Sequence, residues 1–583
     1  MGDSRRTEFL REWIRTRWDR VWQCHARTRG LLLLQPNTLG ALYRISDTAR
    51  GPASTAVTDG GESPSNVDES GDLTDGDGRS SFDVDEEYTT RKKVGLVLGP
   101  LAFVLVFVAP TPTELTAAGQ AVGAGAVWMA IWWVTEAVPI PVTALLPLVV
   151  FPLTGAMGST ATAEPYANRL IFLFLGGFMI AVAVERWELH RRIALRTIEI
   201  VGTAPRRIIL GFMIATAFLS MWISNTATAI LMTPIGLAVV SQLAALPDQE
   251  NLDDAVVAGQ YGFGTTLMLS IAYSASIGGV GTLIGSPPNI IFAGFVRTAY
   301  GQDITFVQWM AYGVPIAVIG VLVCWLYLTR FVLDSDFDDE FETDVIRHRR
   351  RALGPMSRPE KLVLAVFGAV ALGWLTRPGI LEPLVTGIDD AAIAILGAIV
   401  LFVIPVRDDD GEWTFLLDWT TAVSIPWGVI ILFGGGLSLA AGVDESGLGE
   451  WIASLLFVVE GASLVLIVVS IALLAVFLTE VTSNTAMTAM MVPILGALAV
   501  ALSVHPFALM VTATTVASLA FMLPVATPPN AVVFGSSYLT VPQMAKAGFL
   551  LNFLGVILVV IFVIGWLPIA WGIDVTTFPT WIE

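Results

Sequence analysis

The chain has 583 residues, 55% of them hydrophobic and 14% charged, where a soluble protein carries roughly a quarter charged residues. Its formal net charge is −18, with 2 cysteines and 4 histidines. That composition excludes a soluble globular domain and a disulfide framework, gives nucleic acid no basic footing, and points to an all-α polytopic membrane protein of the cell membrane.

From the N-terminus, residues 1–90 hold no spanning segment and read as a cytoplasmic, acidic and largely disordered region. Residues 1–29 are Arg-rich (REWIRTRWDRVW) and suit an amphipathic helix on an anionic surface or a solvated basic arm. Residues 59–87 carry eleven carboxylates against Arg79, and residues 334–344 (DSDFDDEFETD) carry seven. Lysine occurs only at Lys92, Lys93, Lys361 and Lys546. Acidic surface with Arg in place of Lys suits a halophilic source, where salt screens self-repulsion; a GC-rich genome is the other reading of the Arg bias.

The membrane part, residues 91–583, begins at Arg91, Lys92 and Lys93, followed by VGLVLGPLAFVLVFVA. Apolar runs recur near 121–135, 139–155, 169–184, 207–223, 227–242, 262–280 and 308–332, then near 362–375, 390–405, 423–441, 451–459, 462–479, 485–503, 507–525 and 547–572. Several are shorter than the roughly 20 residues a span needs. Short segments broken by Pro and Gly, in matching places of two halves, point to re-entrant hairpins and broken helices. The expected organisation is about eleven spans, with one repeat near 120–332 and a second near 360–573. Basic clusters at 91–93, in 185–207 and in 347–361 place those loops inside. The C-terminal GIDVTTFPTWIE has no basic residue and fits outside.

The repeat is legible in detail. SNTATAILMTPI starts at Ser224 and SNTAMTAMMVPI at Ser483. Each motif Asn (Asn225, Asn484) is followed nine positions later by a proline, Pro234 or Pro493, and each motif Ser is preceded four positions earlier by a hydroxyl, Ser220 or Thr479. GSPPN, from Gly285 to Asn289, pairs with ATPPN, from Ala526 to Asn530, and LFLGGF pairs with LFGGGL. The glycine pairs read as close-packing positions.

Hydroxyls, amide oxygens and carbonyls freed at a helix break are hard, neutral ligands of the kind Na⁺ takes. On helical spacing, Ser220 and Ser224 share a face. The unpaired N–H groups of the following half-helix, with the Asn225 amide and the Thr226 hydroxyl, suit an anion. Tandem prolines end a helix and leave the residues before them to present carbonyls or hydroxyls. A lone SNT would read as a hydroxyl bonded back to its own helix or as interhelical glue; two copies with matched flanks argue against that. Each half then supplies half a site for one anion between two cations.

The two SNT motifs, the two PPN loops and MAIWWVTEAVPIPVTALLPL (residues 129–148) resemble the divalent anion/sodium symporter family over roughly 91–575. The resemblance implies two inverted repeats, a homodimer and elevator-type alternating access. It implies one Na⁺ site at Ser220, Ser224, Asn225 and Gly285 and a second at Thr479, Ser483, Asn484 and Ala526. Substrate, with a C4-dicarboxylate such as succinate or malate as the expectation, would meet Asn225, Thr226, Ser286, Asn484, Thr485, Thr527 and Pro528. The rival readings are a sodium-independent dicarboxylate exchanger of the same fold, sulfate or citrate as substrate, a channel, and a membrane-embedded hydrolase. A hydrolase lacks a histidine in either motif helix, so no enzyme is expected. Glu136 and Glu480 stand out as acids near apolar runs. Glu480 would tune the second site, carry a proton, or pair with an Arg at a helix end. Arg169 would snorkel to the interface.

Overall fold

The computed structural model describes residues 89–202, 204–244, 262–332, 347, 350–408, 411–455 and 463–582. The readings made on residues 1–29 and 59–87, and on all of the acidic stretch 334–344, lie outside the described residues. The chain divides into Met1–Thr89 and Thr90–Glu583, and only the second unit is described below.

In hydrocarbon a backbone N–H or C=O finds no water, so a spanning segment must satisfy its own hydrogen bonds as a helix. The described residues follow that rule, with a single antiparallel pair of short strands, β1 (Pro405–Arg407) and β2 (Trp413–Phe415), in register at Val406 and Thr414. The main helices are α1 (Thr90–Val108), α2 (Ala117–Thr135), α3 (Leu146–Thr154), α4 (Arg169–Arg186), α5 (Leu189–Val201), α6 (Pro205–Ser220), α7 (Asn225–Ala244), α8 (Phe263–Gly279), α9 (Pro287–Tyr300) and α10 (Phe306–Tyr327). There follow α11 (Arg358–Thr376), α12 (Asp390–Val403), α13 (Trp427–Glu445), α14 (Leu448–Leu455), α15 (Leu464–Thr479), α16 (Asn484–Ala501), α17 (Pro506–Ala517), α18 (Pro528–Phe534) and α19 (Val541–Ile561). Among the described residues, seven helical stretches are long and apolar enough to cross a membrane, and five shorter apolar helices have 10–17 residues.

The helices α4 to α10 and α13 to α19 run in the same order with breaks at matching places. The motif Asn opens α7 and α16, and the first motif proline opens α9 and α18. Between them lie α8 and α17, of 17 and 12 residues. At 1.5 Å per residue these reach only about 25 and 18 Å, less than a bilayer core of about 30 Å. Every residue of both helices is buried, so protein rather than lipid surrounds these short arms, as a helix that stops at membrane depth requires. Outward faces of other helices show the reverse pattern: Leu105 and Val108 on α1 and Leu396 and Val403 on α12 are exposed. The glycine pairs are packing positions as expected. A Cβ on Gly176 of α4 would lie 2.6 Å from the Ala394 backbone of α12, and one on Gly435 of α13 would lie 2.1 Å from the Ala144 carbonyl oxygen.

Candidate functional site

The first half-site forms where α6 stops. Ser220 is its last residue, and the chain turns through Met221 to Ser224 before α7 begins at Asn225. The expected shared helical face for Ser220 and Ser224 is therefore not formed, because the helix ends between them. Ser220 is fully buried and donates to the Ala275 carbonyl on α8 at 2.6 Å. The Ser224 hydroxyl instead accepts from the Ala227 N–H at 3.2 Å, capping α7. Ser220 Oγ also lies 2.5 Å from Asn225 Oδ1.

The Asn225 carboxamide can be seated in two ways. With its oxygen inward, Oδ1 meets Ser220 Oγ and faces the Gly285 and Ala275 carbonyl oxygens at 3.1 and 3.2 Å, so that acceptors face acceptors. With its nitrogen inward, the same contacts become hydrogen bonds. The second seating is the electrically satisfied one when the knot holds no ion. The first presents neutral oxygens of the kind a small cation takes. A Cβ at Gly279 would sit 2.5 Å from Asn225 Oδ1 and 3.0 Å from the Gly285 oxygen, so only glycine lets these oxygens gather. Among the described residues no cluster of three or more His, Cys, Asp or Glu could hold a metal; a cation here must use neutral oxygens.

The second half-site repeats the plan with other contacts. Thr479 ends α15 and donates to the Ala517 carbonyl at the end of α17 at 3.1 Å. Ser483 caps α16 through the Ala486 N–H. Asn484 Oδ1 turns to its own neighbour and accepts from the Thr485 N–H at 3.0 Å.

The third element common to both halves is the asparagine of each PPN loop. Asn289 Nδ2 donates to the Gly279 and Thr282 carbonyls at 2.9 and 2.7 Å. Asn530 Nδ2 donates to the Ala520 and Leu523 carbonyls at 3.2 and 3.0 Å. The partners lie ten and seven residues earlier in both halves. Each asparagine latches the turn that carries the chain from the short arm to the next helix. Sequence reading used these asparagines to match the loops and missed the latch, as it missed Ala275, Gly279, Ala517 and Ser518. The −10 and −7 spacing needs the fold of the turn before it has meaning.

The halves meet crosswise. Helix α18 packs on α7 and α8, and α9 packs on α16 and α17. Ser286 Oγ lies 3.1 Å from Ser518 Oγ, both buried. The Tyr273 hydroxyl donates to the Phe521 carbonyl at 2.8 Å, and Tyr312 OH lies 3.1 Å from Thr515 Oγ1. Around this seam Gly285 and Ala526 are buried, and Thr527 caps α18 by accepting from the Asn530 N–H. Thr226 is half-buried, its hydroxyl without a hydrogen-bond partner among the described residues, and Pro528 is exposed. Of the residues expected to meet substrate, Ser286 is thus the one the structure ties directly to the opposite half.

The three charged residues noted in the sequence have different surroundings. Glu136 is exposed and caps α2 in a left-handed conformation, φ 48°, with its N–H on the Trp132 carbonyl. Arg169 pairs with Asp303 at 2.5 Å and with Asp389 at 3.4 Å. Glu480 is 3% exposed and, among the described residues, has no Arg; its carboxylate accepts three backbone N–H groups and the Asn552 amide.

Broken helices with buried, uncharged polar termini meeting across two matched halves define a multi-pass membrane transporter rather than an enzyme. Residues 90–572 match the family model described as the sodium:sulfate symporter transmembrane region, and the chain belongs to that family. A sodium-dependent dicarboxylate transporter, SdcS, of Staphylococcus saprophyticus is 43% identical over 494 residues, covering 84% of this chain and 94% of the relative. The protein of the same name from Staphylococcus aureus is 42% identical over 492 residues, with the same coverage. Among solved structures, the YdaH transporter of Alcanivorax borkumensis superposes with a TM-score of 0.50 at 14% identity, covering 84% of this chain and all of that one. MtrF of Neisseria gonorrhoeae gives 0.50 at 11% identity, over 82% and 94%. These two likenesses show the fold alone.

Proposed function

We propose that the chain is a Na⁺-coupled symporter of small dianionic organic acids, with C4-dicarboxylates such as succinate and malate as substrate. The observation that carries the reading is the carboxylate-free knot of Ser220, Asn225, Ala275 and Gly285, in which the Asn225 amide can turn its oxygen inward toward a cation. Relatives named sodium-dependent dicarboxylate transporters, at 43% and 42% identity over most of the chain, support it.

Two Na⁺ sites are proposed, one at Ser220, Ser224, Asn225 and Gly285 and one at Thr479, Ser483, Asn484 and Ala526. Substrate lies between them against Asn225, Thr226, Ser286, Asn484, Thr485, Thr527 and Pro528. No basic residue stands in either motif, so the charge of a dianion is met by the bound cations and by N–H and hydroxyl donors, which act strongly in a low dielectric. The matched order of α4 to α10 and α13 to α19 supports two repeats of inverted topology, near 120–332 and 360–573. A homodimer, elevator-type movement and about eleven spans belong to the same reading. The arginines of α5 and its flanks (Arg191, Arg192, Arg196, Arg206, Arg207) support a cytoplasmic side for that loop, and with it a cytoplasmic N-terminus and an external C-terminus.

The test is uptake of labelled succinate into proteoliposomes at high salt, with internal and external Na⁺ set separately and sulfate and citrate as competitors. Uptake driven by an inward Na⁺ gradient supports the symporter and ranks the anions. Uptake that requires internal succinate and ignores Na⁺ replaces it with an exchanger.

A further inference from the structure

Glu480 follows Thr479 at the end of α15 and is almost wholly buried. Its Oε1 accepts from the N–H groups of Phe521 and Met522 at 2.8 and 2.9 Å and from Asn552 Nδ2 at 2.7 Å. Its Oε2 accepts from the Leu523 N–H at 3.1 Å. All four partners donate, which matches a carboxylate that only accepts. Residues 521–523 are the turn after α17 that the Asn530 latch also grips. From there the Ala526 N–H hangs on the Leu523 carbonyl at 3.2 Å. An unbroken chain of hydrogen bonds therefore runs from Glu480 to the backbone of the second half-site.

We propose that Glu480 is a positioning residue for cation binding in the second half. It acts through the turn at 521–523, which sets where the Ala526 and Thr527 backbone stands relative to Thr479 and Asn484. The inference rests on the Na⁺-coupled reading above. A glutamine in its place keeps one acceptor oxygen and turns an NH₂ group toward the turn's N–H donors, so at least one buried donor loses its partner. The turn relaxes, and the oxygens that should meet a cation are no longer held at one distance from it.

The experiment is the melting temperature of the purified full chain, without substrate, over a series of NaCl concentrations balanced with choline chloride. Na⁺ is expected to raise the melting temperature of the wild type. In Glu480→Gln the Na⁺ concentration giving half that rise is expected to increase about tenfold, the loss of one buried hydrogen-bonding partner. In Asn552→Ala, which removes one donor to the carboxylate and the Oδ1 that accepts from the Phe521 N–H, it is expected to rise about threefold. A residue that only held the fold together would lower the melting temperature at every salt composition and leave that concentration alone. An unmoved Na⁺ midpoint in folded Glu480→Gln overturns the proposal, and if that variant does not fold, an unmoved midpoint in Asn552→Ala overturns it. A wild type that Na⁺ stabilises no more than choline overturns the Na⁺-coupled reading itself and the proposal with it.

Discussion

The two halves share a skeleton and differ in its wiring. In both, a helix ends in a buried hydroxyl that donates to a carbonyl of the short arm: Ser220 to Ala275, Thr479 to Ala517. In both, a PPN asparagine latches carbonyls ten and seven residues back. The residue after the hydroxyl is Met221 in one half and Glu480 in the other, and the latched residue at −7 is Thr282 or Leu523. Each of these pairs is joined, with the chemistry exchanged. Thr282 sends its side chain to the Met221 carbonyl, whereas Glu480 sends its side chain to the Leu523 N–H. The repeated quantity is thus the backbone path of the break. The side chains that hold it differ, and the first half is left with an uncharged oxygen knot that the second does not reproduce in the same form.

The largest expected effect tests that asymmetry directly. Asn225 reaches three groups of the knot, while Asn484 accepts from its own neighbour. Labelled-succinate uptake is expected to fall about 100-fold in Asn225→Ala and about tenfold in Asn484→Ala, following the number of buried partners left unpaired. Equal losses in the two variants would show that the working arrangement of the second half resembles the first.

The next prediction copies one half into the other. Gly279 and Ala520 hold the same −10 position, and the second half already carries a Cβ there. In the first half that Cβ would lie 2.5 Å from Asn225 Oδ1. Gly279→Ala is expected to lower uptake at least about fivefold through about 1–3 kcal/mol of overpacking, while Ala520→Gly costs about 1 kcal/mol of stability and little uptake. Uptake rates normalised to folded protein in the liposomes decide it; full activity of Gly279→Ala would dissolve the knot as a functional unit.

The latches should behave alike where the knots do not. Asn289→Ala leaves the Gly279 and Thr282 carbonyls without their amide donor, Asn530→Ala does the same at Ala520 while Leu523 keeps the Ala526 N–H, and each is expected to lower stability by about 1–3 kcal/mol. Melting curves in detergent that fall by similar amounts would support a common backbone device, and a fall confined to one variant would break it.

Much of this was legible before any coordinates. The repeated SNT and PPN motifs located the breaks within a residue or two, because proline and a run of Ser, Asn and Thr have few other uses in an apolar helix. What was not legible was the direction each side chain takes after the break. Helical spacing put Ser220 and Ser224 on one face, but the helix stops at Ser220 and the spacing no longer applies. Glu136 and Glu480 look alike as acids near apolar runs, yet one caps an exposed helix end and the other is sealed under a turn more than forty residues away in sequence. The carbonyl partners, Ala275 and Ala517 among them, carry no sequence signal, since every residue has a carbonyl and only tertiary placement selects which one serves.

The smallest expected effect bears on the exchanged pair. Thr282 Oγ1 donates to the Met221 carbonyl and accepts from the Gly285 N–H at 3.1 Å, so the first turn is held by two neutral hydrogen bonds. The corresponding clamp in the second half is a buried carboxylate with four donors. Neutral bonds contribute about 1 kcal/mol each and charge-assisted ones roughly twice that. Thr282→Val keeps the shape and removes both bonds, but the Asn289 latch still holds the same turn through the Thr282 carbonyl. A reduction in uptake of about threefold is therefore expected, with the Na⁺ concentration for half-maximal uptake moving less than in Glu480→Gln. If Thr282→Val shifts that concentration as far as Glu480→Gln does, the charge on Glu480 adds nothing that a hydroxyl cannot supply, and the two clamps are equivalent despite their different chemistry.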